Sequence, residues 1–178
     1  MLKQLIKLLV AILLATTANA QPLIVYVDGP EPTAAFITRS VAALNNKAGT
    51  TFSLQAVVVR KFASDEPQAL MADLKASKPA GVAAIAVIGN TLRGGGMANL
   101  CVPTGVAFVL GKKRKRRLSW MFQHELAHLA GALHVEAEGE HLMDRVLPII
   151  SRTKVHQVPI IPVNKVEIQE CYAKWGMK

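Results

Sequence analysis

The feature that most constrains the fold is the placement of three histidines around one glycine, at His124, His128, Gly131 and His134. Residues four apart share one face of an α-helix, so a helix here would aim His124 and His128 at a common point. His134 would leave that face if the helix simply continued. Glycine tolerates positive φ and often ends helices, so a turn at Gly131 could bring His134 back. The pattern therefore predicts a helix ending near Ala130 and three converging imidazoles.

Three converging imidazoles are a typical ligand set for Zn²⁺, which binds histidine nitrogen at about 2.0–2.1 Å in tetrahedral geometry. Such a set leaves the fourth position to water, as in catalytic sites, and the metal lowers the pKa of that water to about 7. Glu125, beside the first ligand, could accept the proton as general base. The spacing predicts zinc-dependent hydrolysis with His124, His128 and His134 as ligands. Three incidental histidines on a helix are the alternative, and His141 is a second candidate for the third ligand.

Residues 124–134 read His-Glu-Leu-Ala-His-Leu-Ala-Gly-Ala-Leu-His, and with them the sequence resembles the metzincin clan of zinc metalloendopeptidases, such as matrix metalloproteinases and adamalysins. The clan's signature continues with a methionine turn, and Met143 lies nine residues after His134. The resemblance implies that Met143 underlies the three histidines, whereas an ordinary core methionine is the alternative. Val135, directly after the third histidine, matches no particular subfamily.

The resemblance further implies an α+β, metzincin-like zincin fold. This fold has a twisted mixed β-sheet, an active-site helix and a small irregular C-terminal subdomain that ends in a helix. An edge strand near Met97 to Cys101 would pair with an extended peptide substrate through main-chain hydrogen bonds. The apolar segment 144–163 would line the pocket beside the metal, or else fill the lower core.

Hydrophobic patterning independently predicts alternating strands and helices before the motif. Such an order favours a mixed sheet with helices packed on it. The predicted strands are 23–27, 52–60, 81–88, 97–102 and 105–110, and the predicted helices are 33–47, 69–76, about 112–130 and 164–175.

The first twenty residues are typical of a secretory signal peptide. A short basic start precedes an apolar run and Ala18-Asn19-Ala20, which fits cleavage after Ala20. We expect a secreted or periplasmic, monomeric catalytic domain at 21–178 with no membrane span after cleavage; a retained anchor is the alternative. Export favours a disulfide between Cys101 and Cys171, where two buried thiols are the alternative.

The chain is basic, with a formal net charge of +9 at pH 7. Six consecutive basic residues, Lys112 to Arg117, precede the motif helix. Basic runs usually lie solvated at a surface, but this one could also bind an anionic surface or polymer. A second hypothesis follows, namely a non-catalytic exported zinc protein that binds such surfaces. Glu125 favours the peptidase, because a binding module needs no general base.

Overall fold

A computed structural model describes residues 20–29, 34–91, 94–111, 115–136, 142–143 and 158–177. Five strands lie among them: β1 (Gln21–Asp28), β2 (Phe52–Val59), β3 (Ala83–Ile88), β4 (Gly95–Ala98) and β5 (Val106–Leu110). The helices are α1 (Ala34–Ala48), α2 (Pro67–Ser77), α3 (Lys115–Leu129) and α4 (Pro162–Lys174). The predicted α+β class and the mixed sheet are confirmed.

The strands form one sheet in the order β2-β1-β3-β5-β4. The first four in this order run parallel to one another, and only β4 is antiparallel to its neighbour β5. The β-α-β connections through α1 and α2 explain the parallel course of β1, β2 and β3, because parallel neighbours need a crossover. β5 runs parallel to β3 because the antiparallel strand β4 lies between them in the chain. β4 therefore lies at one edge of the sheet, beside α3.

Both faces of the central strands β3 and β5 are buried, which fits their apolar runs. In β3, Ala83, Ile85 and Val87 face the larger core cluster with α1 and α3, whereas Ala84 and Ala86 face a smaller cluster with α2. All six residues of β3 are buried. The large cluster fixes α3 against the sheet and thereby places the histidine motif beside β4.

The predicted bounds of β4 are wrong. The strand covers Gly95–Ala98, and the chain turns through residues 99–105. Asn99 initiates this turn, since its backbone N–H bonds to the Val106 carbonyl and its Oδ1 accepts the Val106 N–H. The glycines predict a loop by composition, yet Gly95 and Gly96 pair with Leu110 and Val109.

Within the described residues, we find no helix that is both long and apolar enough to cross a membrane.

Candidate metal centre and active-site cleft

The α3 helix carries the first part of the motif on its buried side. Leu126 and Leu129 are fully buried in the large core, and His124 and Glu125 are only 5% and 6% exposed. The apolar residues anchor the helix to the sheet, so its polar residues at 124, 125 and 128 face the cleft beside β4.

The three histidines of the motif converge as the sequence predicts. His124 Nε2 lies 3.0 Å from His134 Nε2 and 3.1 Å from His128 Nε2, and the third separation is 3.2 Å. The turn that achieves this occurs at Gly131, where φ is +109°. That value is strained for any residue with a side chain, so glycine is required here.

Backbone carbonyls orient two of the imidazoles. His124 Nδ1 lies 2.8 Å from the Leu142 carbonyl oxygen, and His128 Nδ1 lies 2.7 Å from the Ala132 carbonyl oxygen. A carbonyl only accepts, so in each ring Nδ1 carries the proton and the Nε2 lone pair faces the centre of the group. Burial lowers the pKa of His128, although the Ala132 carbonyl and the charge of Glu167 oppose this. The neutral ring favoured in this way is the form that binds metal.

The donor set fits zinc. Ligands about 2.05 Å from a tetrahedral centre lie about 3.3 Å from one another, close to the separations found here. Lone pairs that face one another at 3.0–3.2 Å repel unless a cation lies between them. The three histidines could therefore hold a zinc ion and leave one position open.

Glu125 lies next to this group. Burial raises the pKa of its carboxyl to about 8. Its side chain packs directly against Gly96 of β4, where an added Cβ would overlap the carboxylate. Gly96 thus provides the space that the carboxylate occupies, a role that the sequence reasoning missed because it interpreted the glycines as a loop.

A cleft of about 500 Å³ lies above the histidines, between β4 and the segment that follows Gly131. Its rim is apolar, and three of the rim side chains are about half exposed, namely Met97, Leu100 and Leu133. Among the described residues that line it, Glu125 is the only acidic one, and none is Lys or Arg.

Met143 lies in a fully buried turn at residues 142–143, and its predicted place beneath the three histidines stays a prediction. The turn contacts the motif twice, because the Leu142 carbonyl meets His124 and the Met143 carbonyl accepts the Val135 N–H at 3.2 Å. The sequence reasoning missed Trp120, whose ring stacks on His124 with centroids 4.7 Å apart. Its position four residues before His124 is the signal that could have identified it.

Cys101 and Cys171 form a disulfide, as the even cysteine count predicts. It joins the turn after β4 to α4. Cys101 has a positive φ of 51°, its N–H donates to the His128 carbonyl, and its own carbonyl accepts from the indole of Trp175. This cluster therefore ties the end of α3 to the C-terminal helix.

Several predicted features lie outside the described residues. These are His141, most of the apolar segment 144–163, residues 1–19 and the first half of the basic run. The second half of that run begins α3, and Arg117 is exposed. Val158 and Ile160, at the end of the apolar segment, are buried in the core, as the core-filling alternative predicts for them.

The fold, in which the edge strand β4 flanks the histidine-bearing helix α3, is of the zincin type. No family model matches the chain, and no curated protein matches it either. Among solved structures, the chain is similar to archaemetzincin from Methanopyrus kandleri, with a TM-score of 0.66 and 16% identity over 90% of this chain and 99% of that one.

Two further structures share the fold. One is metalloproteinase-II from Bacteroides fragilis, with a TM-score of 0.57 and 16% identity over 89% of this chain and 55% of that one. The other is a zinc-dependent peptidase from Methanocorpusculum labreanum, with a TM-score of 0.55 and 14% identity over 82% of this chain and 99% of that one. These likenesses confirm the predicted zincin-type fold. The narrower likeness to matrix metalloproteinases and adamalysins stays a prediction.

Proposed function

We propose that the protein is an exported zinc-dependent endopeptidase whose general base is Glu125. The observation that carries this proposal is the meeting of three Nε2 atoms within 3.2 Å beside a buried carboxylate in an open cleft. The solved structures of similar fold include a protein described as a zinc-dependent peptidase, which supports the same reaction class.

Zinc held by His124, His128 and His134 would supply a Lewis acid that polarises the scissile carbonyl and lowers the pKa of water to about 7. The chain's own contribution is the proton transfer. In the metal-free site burial raises the pKa of the Glu125 carboxyl to about 8, and a cation held by the adjacent histidines would lower that pKa and favour the carboxylate that acts as the base. Glu125 would accept the proton of the attacking water and deliver it to the leaving amine.

The substrate would be a peptide in extended conformation. β4 is an edge strand that lines the cleft, so its outer edge can pair with another strand. Pairing of this kind uses main-chain groups, which any peptide offers in the middle of its length, and this favours endopeptidase action. The half-exposed Met97 and Leu133 on the rim favour apolar side chains near the scissile bond.

Export is proposed on the signal-peptide pattern of residues 1–20 and on the Cys101–Cys171 disulfide, since disulfides persist mainly in oxidising compartments.

The test is cleavage of casein and of a peptide library by the zinc-loaded 21–178 domain, with and without chelator. We expect Glu125→Gln to retain stoichiometric zinc and to lose about 10²- to 10⁴-fold in kcat. Glu170→Gln, an exposed glutamate on α4, is the matched control and should leave activity unchanged. If the zinc-loaded wild type cleaves no substrate, the endopeptidase proposal is refuted. The alternative, a non-catalytic zinc protein that binds anionic surfaces, is then favoured. Equal activity of Glu125→Gln would refute the role of Glu125.

A further inference from the structure

The backbone between the turn at Gly131 and the third histidine is held by α4. The N–H of Leu133 donates to Glu167 Oε2 at 2.9 Å, and its carbonyl accepts from Asn164 Nδ2 at 3.0 Å. Both main-chain polar groups of this residue are therefore bound by two side chains of a helix that follows some thirty residues later. The Leu133 side chain itself is 45% exposed, so packing does not fix this residue.

The two side chains form one preorganised unit. Asn164 and Glu167 lie one helical turn apart, where side chains meet, and Asn164 Nδ2 donates to Glu167 Oε2 at 2.8 Å. Asn164 is fully buried. Among the described residues its Oδ1 has no hydrogen-bond partner, which is a cost that an apolar side chain would avoid. The contribution of this asparagine is thus its two N–H groups, one bound to Leu133 and one to Glu167.

A second observation places the same helix against the turn. A Cβ on Gly131 would lie 2.5 Å from Cys171 Cβ and 3.1 Å from the Glu167 carbonyl oxygen. The α4 helix therefore contacts the turn at Gly131 and forms hydrogen bonds with the backbone of Leu133, two residues later. The Cys101–Cys171 disulfide fastens α4 to a residue whose N–H bonds to the His128 carbonyl.

We propose that Asn164 and Glu167 are positioning residues that hold His134 in place for the metal. His134 is the most exposed of the three histidines, and it follows Leu133 directly. With the Leu133 peptide groups fixed, the imidazole starts from one place and needs little ordering when the metal binds. Without the hydrogen bonds from Asn164 and Glu167, the loss of conformational entropy on ordering this loop would oppose metal binding. The proposal rests on the metal site proposed above.

The experiment measures the zinc dissociation constant of the full 21–178 domain by competition with a chelator. Loss of such outer supports typically weakens metal binding about 10- to 100-fold, and we expect this for Glu167→Ala. Glu167→Gln keeps an oxygen that accepts from Leu133 and Asn164, so it should restore most of the affinity. Glu170→Ala removes an exposed charge one turn further along the same helix and should bind zinc like the wild type.

A double variant separates positioning from general destabilisation. If Glu167 acts through the third ligand, Glu167→Ala should weaken zinc binding far less in a His134→Ala background than in the wild type. An equal loss in both backgrounds, or no loss in either, would overturn the proposal. So would a failure of Glu167→Gln to bind better than Glu167→Ala, a comparison that holds even if the alanine variant folds poorly.

The two proposals fail differently. Wild-type protein that binds no zinc would overturn both. Wild-type protein that binds zinc and cleaves peptides, together with Glu167→Ala protein of unchanged zinc affinity, would overturn the positioning role alone.

Discussion

At the scale of single residues, the site depends on a glycine as much as on its ionisable groups. A Cβ at position 96 would overlap the Glu125 carboxylate, and the three nearest atoms that it would meet all belong to the Glu125 side chain. We expect Gly96→Ala to displace the carboxylate from its working position, and misplacement by about 1 Å can cost about 100-fold in rate. The variant should therefore lose kcat and keep its zinc affinity.

Steady-state kinetics and zinc titration of the same Gly96→Ala preparation check this expectation. Because β4 pairs with β5 through its backbone, the sheet should survive the added methyl group. Far-ultraviolet circular dichroism provides the folding control. Unchanged kcat, or loss of zinc together with activity, would contradict the assigned role.

Burial of Glu125 also predicts a pH dependence in the zinc-free protein. Its pKa rises from 4.5 to about 8 on folding, so the folded state binds the proton more tightly than the unfolded state. The stability that Glu125 contributes is thus fully present below about pH 4.5 and is lost as the pH rises through about 8. The side chain of Glu125→Gln cannot ionise. In the presence of chelator, the free energy of unfolding of the wild type should therefore fall relative to that of this variant as the pH rises from 4.5 to about 8.

Urea unfolding of both chelated proteins at several pH values between 4 and 9 measures the difference directly. Other titrating groups are common to the two proteins and cancel in the comparison. A constant difference in free energy of unfolding across the range would show that Glu125 titrates in the folded state as it does in the unfolded chain.

At the scale of helices and strands, the sequence predicts elements well where one periodic pattern dominates. The apolar runs of β1 and β3 and the spacing of buried residues in α1 give their type and approximate bounds. The sequence pattern does not predict the bounds of β4, because its first two residues are glycines, which composition assigns to a loop. Their presence in a strand depends on their pairing with Leu110 and Val109 of β5, which no local pattern encodes.

The site shows the same division between local and distant information. The spacing of His124, His128 and His134 predicts their convergence, because one helix and one turn determine it. The hydrogen bonds from Asn164 and Glu167 to the Leu133 backbone depend on where α4 packs. The whole core determines that packing, and no sequence spacing predicts it. Local patterns therefore identify the metal-binding side chains, while the residues that hold them in place need the structure.

At the scale of the whole molecule, the Cys101–Cys171 disulfide joins the cleft to the C-terminal helix across a sequence separation of 70 residues. Such a crosslink restricts the unfolded chain, and losing one typically costs about 2–5 kcal/mol. We expect a Cys101→Ser, Cys171→Ser double variant to lose stability in this range when chelator is present, so that zinc does not mask the change. Guanidinium unfolding of both proteins, with and without reductant, provides the measurement. Reductant should bring the wild type to the stability of the double variant and leave the double variant unchanged, whereas equal stability of the two oxidised proteins would contradict a structural role for the bond.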